Sequence, residues 1–377
     1  MKVYRIGLIG AGMMGKTHAW CWQSLPFFYE KLDFRCILQG ICTSRPETAE
    51  VACEKLGFQK AFFSAEELIQ DPEIDVVDIA SPNKFHCEAI LAAHRAGKPV
   101  YCDKPLTGNL EEALRIEQEI PDPAKQGQMV FNYRFFPATM RARQIMEAGD
   151  IGEVICFRAA YLHSGNVVPG KPMAWKDRRD YGGGVLYDLG SHIVDLITWL
   201  CGAGFREVFA RQKTLYPIRP SPENPAVMVP QDSDDLTIMS VVLSNGAVGT
   251  IEASKIATGA QDELRFELHG TKGALRFNLM DPNYLDWFNQ SDPEQPLGGT
   301  SGFKRIHCVR RYPGSAFFPS PKATIGWLRG HLQCLFHFID SLHHQRAFDP
   351  SIERGIEIEK MLAAAAHSAR SGERIQV

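Results

Sequence analysis

No two of the ten cysteines are spaced C-x-x-C, and no H-E-x-x-H occurs anywhere in the chain. Zinc ribbons, thioredoxin-type redox pairs and the commonest metallopeptidase motif therefore have no support. No apolar run approaches the roughly 18 residues that a membrane helix needs. Neither sign of charge dominates: 41 Lys and Arg face 44 Asp and Glu, a net charge of −3. That balance argues against a nucleic-acid partner, which selects for basic surfaces. No fixed-period repeat is present, so solenoids and propellers drop out.

What remains has the composition of a folded chain, with 45% hydrophobic and 23% charged residues. A length of 377 residues is too great for one ordinary core and points to two domains. Cys36, Cys42, Cys87, Cys102 and Cys156 lie inside apolar runs, as buried reduced thiols of a cytoplasmic protein do. The first residues, Met1 to Gly7, enter a strand pattern at once, which leaves no room for a signal peptide.

The first third alternates short apolar runs with helical stretches. The runs are Tyr4–Ile9, Phe34–Cys42, Asp75–Ala80, Pro99–Cys102 and Met129–Asn132; the helices include Glu47–Leu56, Glu88–Ala96 and Leu110–Glu119. Continuous apolar strands between helices predict a parallel sheet covered on both faces, doubly wound by right-handed crossovers. After about residue 135 the rhythm changes. A helix is predicted over Ala138–Ala148, a strand over Glu153–Tyr161 and a long helix over Gly184–Leu200. Long strands follow, with hairpin signals at Asn245-Gly246 and at Gly270–Gly273, and then two helices. The expected architecture is α/β: a Rossmann-like domain over 1–135 and an α+β domain over 136–377 with a large, mostly antiparallel sheet. The run Leu236–Leu243 is nearly apolar on both faces, so a homodimer or homotetramer through that sheet is expected. Residues Pro217–Ser233 read as an irregular loop.

The segment Gly10-Ala11-Gly12-Met13-Met14-Gly15 is a G-x-G-x-x-G loop directly after the first strand and opening a helix. Gly10 permits the tight turn, Gly12 admits a pyrophosphate, and Gly15 allows close helix–sheet packing. The helix N-terminus, with Met13 and Met14, faces the negative charge. An acid ending the second strand would bind ribose hydroxyls, but that end reads Ile41-Cys42-Thr43-Ser44-Arg45. Asp33 has a suitable offset from the glycines yet precedes the strand. Ser44 and Arg45 suit a 2′-phosphate, which favours NADP over NAD. Ser44 also suits a cap for the helix beginning near Pro46.

From Asp75 onward the chain resembles the Gfo/Idh/MocA family of sugar and polyol oxidoreductases. The turn Ser81-Pro82-Asn83-Lys84-Phe85-His86 resembles that family's cofactor-bordering loop, and Asp103-Lys104-Pro105 its E-K-P motif with Asp for Glu. Asn132–Phe135 and Gly182–His192 match two further markers in the same order. The resemblance implies that Ser81, Asn83, His86, Asp103 and Lys104 border the cofactor.

Some of the chemistry follows from the residues themselves. Lys104 ends an apolar run, so it stands at the carboxyl end of a parallel strand, where open α/β sheets bind ligands. A desolvated lysine there can share or relay a proton; the plain alternative is a surface lysine before a helix-starting proline. Asp188 and His192 share a helix face at i, i+4, with His192 as general base and Asp188 orienting substrate or imidazole. A structural Asp–His pair is the plain alternative. The glycines at 182–184 let the helix start approach a ligand. Tyr161, His163, Trp175 and Lys176 are expected to face the substrate ring, with Arg178 and Arg179 either there or solvated. Zinc on Asp188, His192 and His163 has no motif behind it, and no metal is expected. His343 and His344 read as surface or structural residues. The function these residues imply is hydride transfer between a nicotinamide and a ring hydroxyl of a sugar, glycoside or inositol. The alternatives are a glycosidase using bound NAD for transient oxidation, and a non-catalytic NAD(P) sensor.

Overall fold

The computed structural model describes residues 1–309, 312, 316, 318–320 and 322–377. Six strands form one parallel sheet: β1 (Lys2–Ile9), β2 (Phe34–Cys42), β3 (Lys60–Phe62), β4 (Val76–Ile79), β5 (Val100–Cys102) and β6 (Gly127–Met129). Their order is β3-β2-β1-β4-β5-β6, so the winding reverses between β1 and β4. Ligands bind at the carboxyl ends of such a sheet, at that reversal. Every residue of β4 and of β5 is buried, the reason both read as apolar runs rather than alternating ones.

The covering helices are α1 (Met13–Phe28), α2 (Pro46–Leu56), α3 (Ala65–Gln70), α4 (His86–Arg95), α5 (Leu110–Glu119) and α6 (Pro123–Gln126). Local chemistry sets their ends. Ser64 and Asn109 cap α3 and α5 by accepting the Glu67 and Glu112 backbone N–H groups. Gly57 ends α2 with a left-handed φ of 76°. Arg45, not Ser44, occupies the N-cap position of α2 and caps nothing with its side chain.

The chain divides into two units, Met1–Phe135 with Pro313–Glu359 and Phe136–Tyr312 with Lys360–Val377. The expected second domain, 136–377, therefore gives up a segment to the first unit. The cause is α9 (Trp327–His343), whose Phe338 is fully buried in a core shared with Trp22, Tyr101 and Phe348. Burying such a ring contributes about 1.5–3 kcal/mol. Polar ties add direction: Tyr29 donates to Gln333 Oε1 at 2.7 Å, and Arg134 pairs with Asp349 at 2.7 Å. Sequence periodicity reveals the helix but not the sheet it covers.

The second unit opens with α7 (Pro137–Glu147) and holds α8 (Ser191–Cys201), while α10 (Ile352–Ser371) runs into it from the first. Its strands are β7 (Val154–Leu162), β8 (Phe205–Lys213), β9 (Ile218–Pro220), β10 (Met228–Pro230), β11 (Leu236–Leu243), β12 (Val248–Ser254), β13 (Glu263–Gly270), β14 (Gly273–Asn278), β15 (Tyr284–Asn289), β16 (Lys304–His307) and β17 (Ile375–Gln376). Nine of them make a mixed sheet ordered β16-β15-β14-β13-β7-β12-β11-β8-β17. All its pairings are antiparallel except β7 with β12. Both hairpin signals are met, between β11 and β12 and between β13 and β14. The 217–233 stretch is more ordered than a loop, since β9 and β10 form a hairpin and Arg219 is buried beside Gln231.

Candidate active site

The glycine loop stands at the sheet's reversal, and its three glycines differ physically. Gly10 has φ +104°, and a Cβ there would sit 2.5 Å from the Ala80 carbonyl oxygen. A Cβ on Gly15 would come within 2.0 Å of the Gly10 oxygen. Around Gly12, by contrast, an added Cβ meets nothing within 4 Å. So two glycines are demanded by the protein's own packing, and the space beside Gly12 is left for something else. Gly12 is also the N-cap of α1, with no side-chain cap. The first N–H groups of α1, at Met13, Met14 and Gly15, thus sit at the positive end of a 16-residue helix. This arrangement fits a diphosphate. Ser44 and Arg45, just past the end of β2, are both exposed.

Two more loops leave the carboxyl ends of β4 and β5. Asn83 is buried in a helical turn, Asn83–Phe85, and Ser81 precedes it. His86, expected to touch the cofactor, is a strut instead. It is fully buried, with Nε2 2.9 Å from the Ser81 carbonyl and Nδ1 3.1 Å from the Pro105 carbonyl. Burial pushes its pKa down. The neutral ring carries one N–H, so it donates to one of these carbonyls and packs against the other, between the loop after β4 and the loop after β5.

That second loop carries Lys104, half-buried, between Asp103 and a cis peptide to Pro105. Asp103 is buried and its Oδ1 accepts the Lys104 backbone N–H at 2.9 Å, which fixes the loop where the lysine departs. Farther along, the Thr107 N–H donates to Glu359 at 3.2 Å, a buried carboxyl raised to about 8 by desolvation. The acid of the D-K-P motif thus does backbone work, in the loop at the carboxyl end of β5.

In the second unit, strand register assembles a second group. Leu162, the last residue of β7, lies opposite Ser254 of β12 and Glu263 of β13. The residues just beyond these strand ends are His163, Lys255 and Asp262, brought together from distant sequence positions. His163 N–H donates to the Ser254 carbonyl at 2.7 Å. Asp262 Oδ1 accepts the Tyr161 hydroxyl at 2.6 Å and lies 2.9 Å from His163 Nε2. The Tyr161 ring meets His192 edge-on, with centroids 5.9 Å apart.

Asp188 sits in a π-helical turn, Leu186–Gly190, that runs straight into α8. The predicted uniform helix is therefore wrong at its first turn, and π-turns of this kind concentrate at functional sites. Both Asp188 oxygens are held by lysines: Lys176 at 2.8 Å and Lys255 at 3.1 Å. His192, one residue into α8, is 8% exposed. The glycines before this turn answer to packing rather than to a ligand. A Cβ on Gly184 would lie 2.2 Å from Asp234 Oδ1, and one on Gly183 2.5 Å from the Lys176 carbonyl.

Most of the expected substrate group is here: Tyr161, His163, Asp188 and His192, with Lys176 beside the half-buried Trp175 ring. Arg178 is an exposed loop charge paired with Asp180 at 2.7 Å, and Arg179 is exposed too. Lys255 and Asp262 were not foreseen. Nothing in their own neighbourhoods marks them, because only the β7–β12 and β7–β13 registers bring them in. Zinc on Asp188 gains no support, since both carboxylate oxygens already face ammonium groups.

Comparison with known proteins bears on both halves. Residues 4–131 match a family model described as an oxidoreductase family NAD-binding Rossmann fold. Residues 139–276 match the GFO/IDH/MocA C-terminal domain. The chain is 31% identical to levoglucosan dehydrogenase of Pseudarthrobacter phenanthrenivorans, across 98% of this chain and 97% of that protein. It is 30% identical to the myo-inositol 2-dehydrogenase of Thermotoga maritima, across 72% of this chain and 74% of that protein. A solved structure of levoglucosan dehydrogenase in complex with NADH and levoglucosan superposes with a TM-score of 0.93 at 30% identity, over 100% of this chain and 99% of that one.

Proposed function

The chain belongs to the Gfo/Idh/MocA oxidoreductase family, and from that premise we propose that it oxidises a ring hydroxyl of an uncharged sugar, anhydrosugar or inositol with NAD. It is a nicotinamide-dependent oxidoreductase of carbohydrates or polyols. The observation that carries the finer reading is the open space at Gly12 over an uncapped helix N-terminus, at the same end of the sheet as Lys104.

Gly10, Gly12, Met13, Met14 and Gly15 hold the diphosphate, and Ser81, Asn83, Asp103 and Lys104 border the nicotinamide end. When bound, the nicotinamide supplies the hydride acceptor. His192 takes the hydroxyl proton as the C–H bond gives up its hydride, and Lys104 stabilises the developing oxyanion and relays the proton. Asp188, fixed between Lys176 and Lys255, orients the substrate hydroxyl. Tyr161, His163 and Trp175 bind the ring, and Asp262 accepts from its hydroxyls.

The expectation of NADP rested on Ser44 and Arg45. The matched family description and the NADH-bound relative weigh toward NAD, and we propose NAD as the main cofactor. The test is a turnover screen of pyranoses, anhydrosugars, glycosides and inositols against NAD and NADP separately. The expected result is one equivalent of NADH formed per sugar consumed, with NADP slower. Sugar release without NADH would favour transient oxidation, and dinucleotide binding without turnover across the panel would favour a sensor.

We also propose a homodimer or homotetramer, built on the open face of the nine-stranded sheet. That face holds a cavity of about 560 Å³ whose lining includes Ala160, Ile238, Thr250 and Phe266 among charged neighbours. Ile238 is 46% exposed there, on the strand whose sequence asked for a second cover. Sedimentation is expected to give an oligomer, with Ile238→Asp shifting it toward the 42.2 kDa chain. A wild-type monomer at micromolar concentration would remove the proposal.

A further inference from the structure

The most unusual cluster outside the active site is at the opposite end of the parallel sheet. Asp33 immediately precedes β2, and His343 and His344 end α9. Asp33 Oδ2 lies 3.1 Å from His343 Nε2 and 3.9 Å from His344 Nε2. One ligand-capable atom from each of the three lies within 4.8 Å of the others. Donors at about 2.0–2.1 Å from a tetrahedral ion stand about 3.3 Å apart, so binding draws the three groups together by up to about 1.5 Å, which two exposed side chains allow.

The outer contacts determine which nitrogens face inward. His344 Nδ1 is 2.9 Å from the Asp340 carbonyl oxygen. A carbonyl only accepts, so Nδ1 carries the hydrogen, and in the neutral ring Nε2 turns a lone pair toward Asp33. His343 Nδ1 lies 3.2 Å from the Tyr4 hydroxyl, which can donate or accept, and its Nε2 faces the same carboxylate, as a donor to it or, with the hydrogen on Nδ1, as a lone pair for an ion. Such outer partners orient imidazole ligands in metal sites. The His344 lone pair against that carboxylate is unfavourable unless a cation lies between them. The carbonyls at the C-terminal end of the 17-residue α9 favour a cation as well.

We propose that Asp33, His343 and His344 form a binding site for a divalent transition ion of the zinc class. Imidazole nitrogens select Zn²⁺, Co²⁺, Ni²⁺ or Cu²⁺ over Mg²⁺ and Ca²⁺. The site is structural, not catalytic. Tyr4, one of its supports, lies six residues before Gly10 on β1, about 20 Å along a strand. An ion there clamps the end of α9 to the loop before β2, both within the first unit. The side chains of Asp33 and His344 are 63% and 46% exposed, so solvent or a further ligand can complete the coordination.

The test uses full-length protein stripped with EDTA. Titration with Co²⁺ is expected to give a visible d–d band saturating at one equivalent, and Zn²⁺ is expected to raise Tm progressively with its concentration. Asp33→Asn and His344→Gln, both at exposed positions, should each abolish band and Tm rise while the protein stays folded. Tyr4→Phe, which removes only an outer contact, should weaken affinity about 10- to 100-fold. No saturable Co²⁺ band, or a band and Tm rise that persist in both Asp33→Asn and His344→Gln, overturns the proposal.

Discussion

Replacing Lys104 with alanine is expected to lower kcat by about 10²- to 10⁴-fold while leaving the KM for NAD nearly unchanged. The expectation follows from how the loop is built. Its shape is held by groups other than the lysine side chain: the Asp103 carboxylate on the Lys104 backbone N–H, the His86 ring on the Pro105 carbonyl, and Glu359 on Thr107. Removing the amine leaves those backbone contacts in place and deletes the charge that we propose stabilises an oxyanion. A loss confined to kcat is the signature of an interaction made in the transition state. Steady-state kinetics over a range of NAD and sugar concentrations checks it. A variant whose NAD KM rises while kcat holds would make Lys104 a cofactor-binding residue only.

His192→Asn is expected to produce a loss of the same order, by a different route. Asparagine keeps a hydrogen-bonding group at the start of α8 but has no basic nitrogen, so proton removal from the substrate hydroxyl loses its acceptor. The pH–rate profile separates this from a packing effect. Wild type should lose activity toward acid as the base protonates, and the variant's residual rate should lose that limb. A variant that keeps the acid limb with a uniformly lower rate would assign His192 to positioning, with the base elsewhere. Its neighbours make a packing collapse an unfavoured explanation. Tyr161 is held independently by Asp262 at 2.6 Å, and Asp188 by two lysines.

Local patterns carried most of the first unit, though the short edge strand β3 was not among the expected runs. Strands buried on both faces declare themselves as apolar runs, and β2, α5 and the glycine loop stand where spacing predicts them. The β6 strand did not: Gly127–Met129 pairs with β5, while the apolar residues that follow turn into the 132–135 helical turn. A three-residue strand with a glycine first has too little pattern to read. α9 was legible as a helix but not as a member of the first unit, because its partners Trp22, Tyr101 and Tyr29 all lie more than 220 positions away. For the same reason motifs single out Lys104, Asp188 and His192 as candidates, whereas no local pattern singles out Lys255 and Asp262. Those two owe their positions to sheet register, which no short window of sequence contains. His86 is the converse: its motif position suggested a cofactor contact, but burial beneath two carbonyls gives it a bracing role.

The claim on which this account rests is the proposal that Lys104 and His192 both act in the hydride-transfer step. Single-turnover hydride transfer in wild type, Lys104→Ala, His192→Asn and the double variant measures it directly. If the two act together, the double variant should be little slower than the slower single, because either loss already disables the shared step. Penalties that multiply in full would show two independent contributions and contradict the account.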